Sequence, residues 1–144
     1  MLYLDTSAFL KLYIREEGSE STQSLVESQS SPLPVWDALE MEFTNAVWMK
    51  AFWKDITAAE VRRQLDLFED RRKRGQYFTP DFSRSKLLER FRSLAAHTVE
   101  TGCRTMDVVH VAAALEFEAE MLVSFDERQR RLAEIAGLRC QPLA

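Results

Sequence analysis

Two short apolar segments of this chain each run into an aspartate, and this pattern constrains the fold more than any other feature. Leu2–Leu4 is followed by Asp5, and residues 121–125 are followed by Asp126. Short continuous apolar runs are typical of strands that are buried on both faces of a parallel sheet. Since segments with helical spacing lie between them, the sequence predicts an α/β domain with a central, mostly parallel sheet.

The segments between the strands carry helical signals. Most begin at Ser, Thr or Asp, which are favoured N-caps, and several end close to a glycine. We expect helices at residues 6–17, 19–27, 37–53, 57–74, 83–102, 105–115 and 126–136, capped in turn by Thr6 or Ser7, Ser19, Asp37, Thr57, Ser83, Thr105 and Asp126. Further short strands are expected at residues 33–36, 77–79 and 138–141.

The whole chain is predicted to form one domain over residues 1–144. Its 46% hydrophobic and 29% charged residues are ordinary for a globular protein and exclude a disordered chain. No apolar run approaches the ~18 residues that a membrane span requires, and Asp5 interrupts the N-terminal apolar run, which argues against a signal peptide. Cys103 and Cys140 are too few for a disulfide framework. We therefore expect a cytoplasmic protein.

The net charge of −4 hides a strong asymmetry along the chain. Residues 50–104 contain 13 Lys or Arg and 8 Asp or Glu, a net +5, whereas the segments on either side are acidic. A local field of this kind steers a charged ligand even when the total charge is unfavourable. The middle of the chain is therefore either a surface for an anionic partner or a pair of solvated helix faces.

Four carboxylates occupy positions that point to one site. Asp5 and Asp126 follow strands, and Glu42 and Asp107 lie near the starts of helices that begin on the same edge of a parallel sheet. Ligands of open α/β sheets bind at that edge. Clustered carboxylates repel one another unless a cation lies among them, and Mg²⁺ or Mn²⁺ prefers all-oxygen ligation. Each residue also has a structural interpretation, as a helix cap, a charge on a helix dipole or a surface residue.

Short motifs around these acids occur in the order of a known family. They are LDTSA at residues 4–8, continuing to KLY at 11–13 and EGSE at 17–20; EFTNA at 42–46; RTMD at 104–107, followed by HVAAA at 110–114; and VSFD at 123–126, followed by RQ at 128–129. Together they resemble PIN domains, in particular the VapC-like toxin ribonucleases of type II toxin–antitoxin pairs. The resemblance covers nearly the whole chain except residues 54–100, where no motif matches.

The resemblance implies a three-layer α/β/α fold and a metal-dependent endoribonuclease that hydrolyses RNA at a four-carboxylate site. Asp5, Glu42 and Asp107 would hold the principal Mg²⁺ or Mn²⁺, and Asp126 would hold a second ion or orient the attacking water. Other polar side chains are expected to contact the carboxylates or the cleft, namely Thr6, Ser7, Asn45 and Ser124. Helix capping explains Thr6 and Ser7 equally well. His110, three residues after Asp107, is expected to be buried and hydrogen-bonded.

The implied partners are the RNA substrate, a cognate antitoxin that is a small DNA-binding protein, and a second copy of the chain. A homodimer is also indicated by the number of large apolar side chains on or beside one helix, which exceeds what one core face needs. These side chains are Trp36, Trp48, Phe52 and Trp53.

A basic run closes the fourth predicted helix and consists of Arg71, Arg72, Lys73 and Arg74. We expect it to bind the RNA backbone, because an acidic cleft repels phosphate and something outside it must attract the substrate. The alternatives are that it binds an acidic antitoxin tail, or that it only complements the dipole of its helix.

Other functions compete with the ribonuclease interpretation. A catalytically inactive PIN-like module that binds RNA or a partner is one, although the presence of all four acids argues against it. A phosphohydrolase of the haloacid dehalogenase type is disfavoured because that family has Asp-x-Asp where this chain has Asp5, Thr6 and Ser7. A receiver domain is disfavoured because paired acids before the first helix are not evident.

Overall fold

The computed structural model describes residues 1–142, which form five strands and eight helices. The strands are β1 (Leu2–Leu4), β2 (Leu33–Pro34), β3 (Tyr77–Phe78), β4 (Met121–Val123) and β5 (Arg139–Gln141). The helices are α1 (Thr6–Leu10), α2 (Ser19–Glu27), α3 (Asp37–Phe52), α4 (Ala58–Lys73), α5 (Arg84–Ala95), α6 (Thr98–Thr101), α7 (Thr105–Glu116) and α8 (Glu127–Ile135). Among residues 1–142, no helix is both long and apolar enough to cross a membrane.

All strand pairs are parallel, in agreement with the predicted class. β4 lies between β1 and β5, and β2 pairs with β3. β2 also lies beside β1, without a ladder of hydrogen bonds between them. Across the fold the strands therefore lie in the order β3, β2, β1, β4, β5. The first three strands of the chain extend to one side of β1, and the last two lie on its other side. The strand order reverses between β1 and β4, and in α/β proteins this switch point is where ligands bind, at the carboxyl ends of the strands.

The helices pack in two groups around the sheet. α1, α3 and α4 contact one another, and α7 contacts α5 and α8. The first group encloses a cluster of aromatic rings contributed by Phe9, Tyr13, Phe43, Phe68 and Tyr77. Phe9 and Phe43 are fully buried and meet edge to face with centroids 5.0 Å apart. This packing fixes α1 and α3 relative to each other, so it also fixes the acidic residues at their starts.

Two predicted helices differ from the structure. The first ends at Leu10 rather than near residue 17, because the N–H groups of residues 11–13 bond to carbonyls three residues back, which winds the chain into tighter turns. The helix predicted over residues 83–102 is two helices, α5 and α6. Between them the His97 N–H bonds to the carbonyl of Leu94, three residues back, and the tighter turn ends α5.

The expected capping residues were correct at some helices and wrong at others. Thr57 forms the predicted capping box with Glu60, and Ser83 and Asp126 cap α5 and α8. Asp37 and Thr105 are instead the first residues of α3 and α7, whose caps are Trp36 and Arg104. Trp36 was expected to add to the exposed apolar surface of α3, but its ring is buried against Phe82 and Phe117.

Candidate active site

Asp5 lies at the end of β1, directly at the switch point. Its backbone N–H donates to the carbonyl of Val123 (3.1 Å) and so extends the pairing of β1 with β4. Its Oδ1 accepts the backbone N–H of Ala8 (2.9 Å), which makes Asp5 the N-cap of α1 in place of the expected Thr6 or Ser7. The side chain is 3% exposed. Asp5 is therefore a buried carboxylate that is oriented by the start of a helix.

Two serine hydroxyls join Asp5 to the end of β4. Ser7 donates to Oδ1 of Asp5 (2.7 Å) and accepts the backbone N–H of Phe125 (3.0 Å). Ser124 donates to Oδ2 of Asp5 (2.7 Å) and accepts the backbone N–H of Asp126 (3.2 Å). Both hydroxyls thus contact a carboxylate of the cluster and hold the two strand ends together.

Glu42 approaches the same edge from the second turn of α3. Its Oε1 accepts the hydroxyl of Thr6 (2.5 Å) and the Nε2 proton of His110. Burial acts to raise the pKa of Glu42, but the hydrogen bonds from His110 and Thr6 outweigh burial and hold this pKa below its usual value. Glu42 is therefore ionised at neutral pH, with one carboxylate oxygen occupied by protein donors.

Asn45 lies one turn after Glu42 but is exposed on another part of α3. It lines a shallow surface depression with Met41 and Trp48, and within residues 1–142 its amide makes no hydrogen bond. The structure thus brings Thr6, Ser7 and Ser124 to the carboxylates and does not bring Asn45 to them.

Asp107 and Asp126 are linked by Arg104, a residue outside the set of site residues predicted from the sequence. Oδ2 of Asp107 accepts both the backbone N–H of Arg104 (2.8 Å) and its Nε proton (3.3 Å). Nη2 of the same guanidinium lies 3.6 Å from Oδ2 of Asp126. The side chain of Arg104 is exposed, and the only sequence signal for its role is a cation three residues before Asp107.

Asp126 caps α8 and also takes part in the ion pair with Arg104. Its Oδ1 accepts the backbone N–H groups of Arg128 (2.9 Å) and Gln129 (3.2 Å) at the start of α8. Burial acts to raise the pKa of Asp126, but the hydrogen bonds from Gln129 and Arg128 outweigh it and lower this pKa. Asp126 is therefore ionised at neutral pH.

The pKa of Asp5 is shifted in the opposite direction from those of Glu42 and Asp126. Burial is the largest influence on it and raises the pKa of Asp5, although hydrogen bonds from Ser7, Ala8 and Ser124 oppose the shift. A cation bound beside this buried carboxylate would stabilise its ionised form.

The donor chemistry of the cluster fits a hard divalent cation, although the side chains do not form a ready-made cage. Among residues 1–142, no three His, Cys, Asp or Glu side chains converge closely enough to hold a metal ion as they stand. Arg104 draws Asp107 and Asp126 toward itself. Within the described residues Oε2 of Glu42 and Oδ1 of Asp107 accept no hydrogen bond. Such oxygens suit Mg²⁺ or Mn²⁺, which takes few carboxylates and keeps several waters.

Comparison with protein-family models gives a match to the PIN domain over residues 2–135. The chain belongs to the PIN domain family. It is 25% identical over 140 residues to the ribonuclease VapC46 of Mycobacterium tuberculosis, across 95% of this chain and 93% of that protein.

Solved structures of this PIN fold agree with the α/β architecture. VapC20 of Mycobacterium tuberculosis, a toxin that cleaves the sarcin–ricin loop, matches with a TM-score of 0.67 and 12% identity over 96% of both chains. VapBC2 of Rickettsia felis, bound to a DNA fragment from its promoter, matches with a TM-score of 0.68 and 16% identity over 100% of both chains. At these identities the likeness establishes the fold, and the three-layer α/β/α class is confirmed.

The basic run at the end of α4 is largely engaged in contacts within the protein. Arg71 donates to the carbonyl of Leu12 (3.2 Å) and stacks on the ring of Tyr13, 4.6 Å from its centroid. Arg72 pairs with Glu40 (2.7 Å), and Arg74 pairs with Asp70 (2.7 Å). Lys73 is exposed and has no ion pair within residues 1–142. Arg71 and Arg72 thus have structural roles, whereas Lys73 and Arg74 face solvent.

Replacing Asp5 by Asn is expected to stabilise the protein by about 1–2 kcal/mol at pH 8, because the change removes a buried negative charge and keeps a residue that caps helices well. A raised folded-state pKa means that ionised Asp5 opposes folding above that pKa. The advantage of Asp5→Asn should therefore shrink as the pH falls toward the ordinary carboxyl range. Urea unfolding of both proteins from pH 4 to pH 8 measures the difference in their free energies of unfolding.

The matched control is Asp5→Ala, which removes the cap as well as the charge and should be less stable than Asp5→Asn at every pH. A lower unfolding free energy for Asp5→Asn than for wild type at pH 8 would contradict the assignment of Asp5 as an electrostatically costly residue.

Proposed function

We propose that this protein is a metal-dependent endoribonuclease that acts as the toxin of a type II toxin–antitoxin pair in the cytoplasm. One observation supports the proposal: contacts through Ser124, Thr6 and Arg104 hold Asp5, Glu42, Asp107 and Asp126 along one edge of a PIN domain. Similarity to the ribonuclease VapC46 over nearly the whole chain supports the same activity.

In this proposal Asp5, Glu42 and Asp107 hold the principal Mg²⁺ or Mn²⁺, and Asp126 holds a second ion or orients the attacking water. An ion held there would lower the pKa of a water and neutralise charge on the scissile phosphate. Ser7 and Ser124 keep Asp5 aligned, and Thr6 does the same for Glu42.

Arg104 has a specific part in the proposed site. Its guanidinium pairs with Asp107 and Asp126, and its side chain is 71% exposed. A guanidinium is a good bidentate donor to phosphate, and this one lies beside two of the carboxylates that would hold the ion. We therefore propose that Arg104 would bind a phosphate of the RNA beside the ion.

The alternative is a PIN-like module that binds RNA or a partner without cleaving it. It is favoured by the same ion pairs of Arg104, because they supply the cation that the acidic cluster needs and leave no preformed cage among residues 1–142. The two functions differ in whether RNA is hydrolysed, so one experiment separates them.

RNA cleavage by the purified protein should require Mg²⁺ or Mn²⁺, stop in EDTA and resume when the ion is restored, with Ca²⁺ supporting it poorly because of its looser geometry. Glu42→Gln and Asp107→Asn should each lose more than roughly a hundredfold in rate, about 3 kcal/mol of barrier. Asp126→Asn should be milder. The measurement is single-turnover cleavage of total and structured RNA.

The control for Glu42 is Glu40→Gln. Glu40 lies two residues earlier on α3, about 200° around the helix, and pairs with Arg72 rather than with the cleft. It should keep wild-type activity. Full cleavage in excess chelator, or by Glu42→Gln, would reject the proposed site, and binding without hydrolysis by wild type would favour the inactive module.

A cognate antitoxin is proposed as the protein partner, as a small DNA-binding protein. The support is the similarity to VapBC2 of Rickettsia felis, which was solved on a fragment of promoter DNA. The basic run offers one contact for an acidic segment of such a partner, and this competes with its proposed role in RNA binding.

The exposed face of α3 is proposed as a homodimer interface. Met41, Trp48, Phe52 and Trp53 are between 38% and 74% exposed, an unusual density of large apolar groups for a surface helix. Light scattering should give twice the 16.7 kDa of one chain at micromolar concentration. The double change Met41→Asp with Phe52→Asp should raise the dimer Kd at least about tenfold.

Val99→Asp is the matched control, since Val99 is 97% exposed but lies on α6. It should leave the dimer intact. A mass of one chain for the wild type across this concentration range would show that the α3 face is not a self-association surface.

RNA binding by the basic run is best tested at its two solvent-facing residues, because Arg71 and Arg72 also hold the fold together. In an Asp107→Asn background, Lys73→Ala with Arg74→Ala should weaken RNA binding and flatten the log–log salt dependence by about 1.4, at ~0.7 per phosphate contact. Arg131→Ala with Arg139→Ala removes the same charge elsewhere and should change the slope less. Equal slopes for both pairs would contradict the proposed RNA contact.

A further inference from the structure

A continuous chain of buried polar side chains runs through the core to Glu42. Nε1 of Trp36 donates to the hydroxyl oxygen of Tyr3 (2.9 Å), that hydroxyl bonds to Nδ1 of His110 (2.8 Å), and Nε2 of His110 bonds to Oε1 of Glu42. Tyr3 and His110 are 0% and 2% exposed. Polar groups are costly in a core, so a chain of three that ends at an active-site carboxylate requires an explanation.

The direction of donation along this chain follows from the chemistry of its members. An indole N–H can only donate, so the oxygen of Tyr3 accepts from Trp36. The single proton of Tyr3 then goes to Nδ1 of His110, and burial raises the pKa of Tyr3, which keeps the phenol protonated. His110 with an occupied Nδ1 lone pair carries its proton on Nε2 and donates it to Glu42. This arrangement satisfies every donor in the chain.

The consequence for Glu42 is that one oxygen is fixed and the other is left available. Oε1 accepts hydrogen bonds from Thr6 on α1 and from His110 on α7. Within residues 1–142 Oε2 accepts no hydrogen bond. The side chain is 34% exposed, so without these donors the carboxylate would sample several rotamers.

We infer that Tyr3 and His110 are positioning residues that hold Oε1 of Glu42 and so aim Oε2 at the metal of the proposed ribonuclease site. The inference rests on the proposed function. Partners that orient a metal ligand typically change metal affinity by about 10–100-fold when they are removed. A purely structural role for the same side chains would reduce stability and leave metal affinity unchanged.

The test uses two substitutions of His110, each of which keeps one of the two hydrogen-bonding positions of the imidazole. The amide nitrogen of Gln reaches the position of Nε2, so His110→Gln retains a donor to Glu42. The amide of Asn reaches the position of Nδ1, so His110→Asn retains the contact with Tyr3 and loses the donor to Glu42. Both variants sacrifice one buried hydrogen bond and should be destabilised to a similar extent.

Calorimetric titration with Mn²⁺ should give wild-type affinity within about threefold for His110→Gln and a loss of at least about tenfold for His110→Asn. Tyr3→Phe removes the hydroxyl that fixes the tautomer and should lie between them. In cleavage assays kcat should follow the Mn²⁺ affinity at a fixed, subsaturating metal concentration, while KM for RNA stays unchanged. Nitrogen-15 NMR of the metal-free wild type should give one neutral tautomer with the proton on Nε2.

The outcomes separate the inference from the proposed function. A proton on Nδ1 in the metal-free wild type, or equal Mn²⁺ affinities for His110→Gln and His110→Asn, would overturn the positioning role even if wild type binds Mn²⁺ and cleaves RNA. A wild type that binds no Mn²⁺ and cleaves no RNA rejects the proposed function and the inference together.

Discussion

The crowding of negative charge at the switch point between β1 and β4 governs the rest of this structure. Asp5 is buried there, and its carboxylate receives three hydrogen bonds without direct contact with a cation among residues 1–142. The fold tolerates this charge because two helix starts, two serine hydroxyls and one guanidinium direct their positive ends toward the cluster. The same arrangement that stabilises the carboxylates also orients them.

Helix capping and site chemistry are not competing roles for these acids. Asp5 caps α1 and Asp126 caps α8 through one oxygen each, and Asp107 accepts the N–H of Arg104, the N-cap residue of α7. The second oxygen of Asp5 accepts the hydroxyl of Ser124, and that of Asp126 pairs with Arg104 and Arg128. An aspartate between the end of a strand and the start of a helix is thus held in place by the helix N–H groups that it caps. The fold has such an aspartate after both strands that flank the switch point, β1 and β4.

Tertiary contacts decide which side chains of the basic run at the end of α4 are available to a partner. Arg71 and Arg72 were expected to face RNA, but their guanidinium groups lie over the rings of Tyr13 and Phe68, and Arg72 also pairs with Glu40. Long cationic side chains cover apolar surface readily, so a run of four charges at a helix end divides between packing and solvent. Lys73 and Arg74 are the more exposed members of the run, and the contact of the run with RNA stays a prediction.

The sequence by itself determined the elements and the acids at their ends, because apolar runs, helix caps and strand-terminal aspartates are local signals. Asp126 and Thr57 cap helices as predicted, and the apolar helix after Thr105 is buried. Tertiary structure alone decided which side chains meet. Tyr3 and His110 are 107 residues apart, and Thr6 and Glu42 are 36 apart, so their contacts arise only when α3 and α7 pack beside β1 and α1. Local patterns carry no information about such partners, since a hydrogen bond between distant residues depends on how the intervening chain folds.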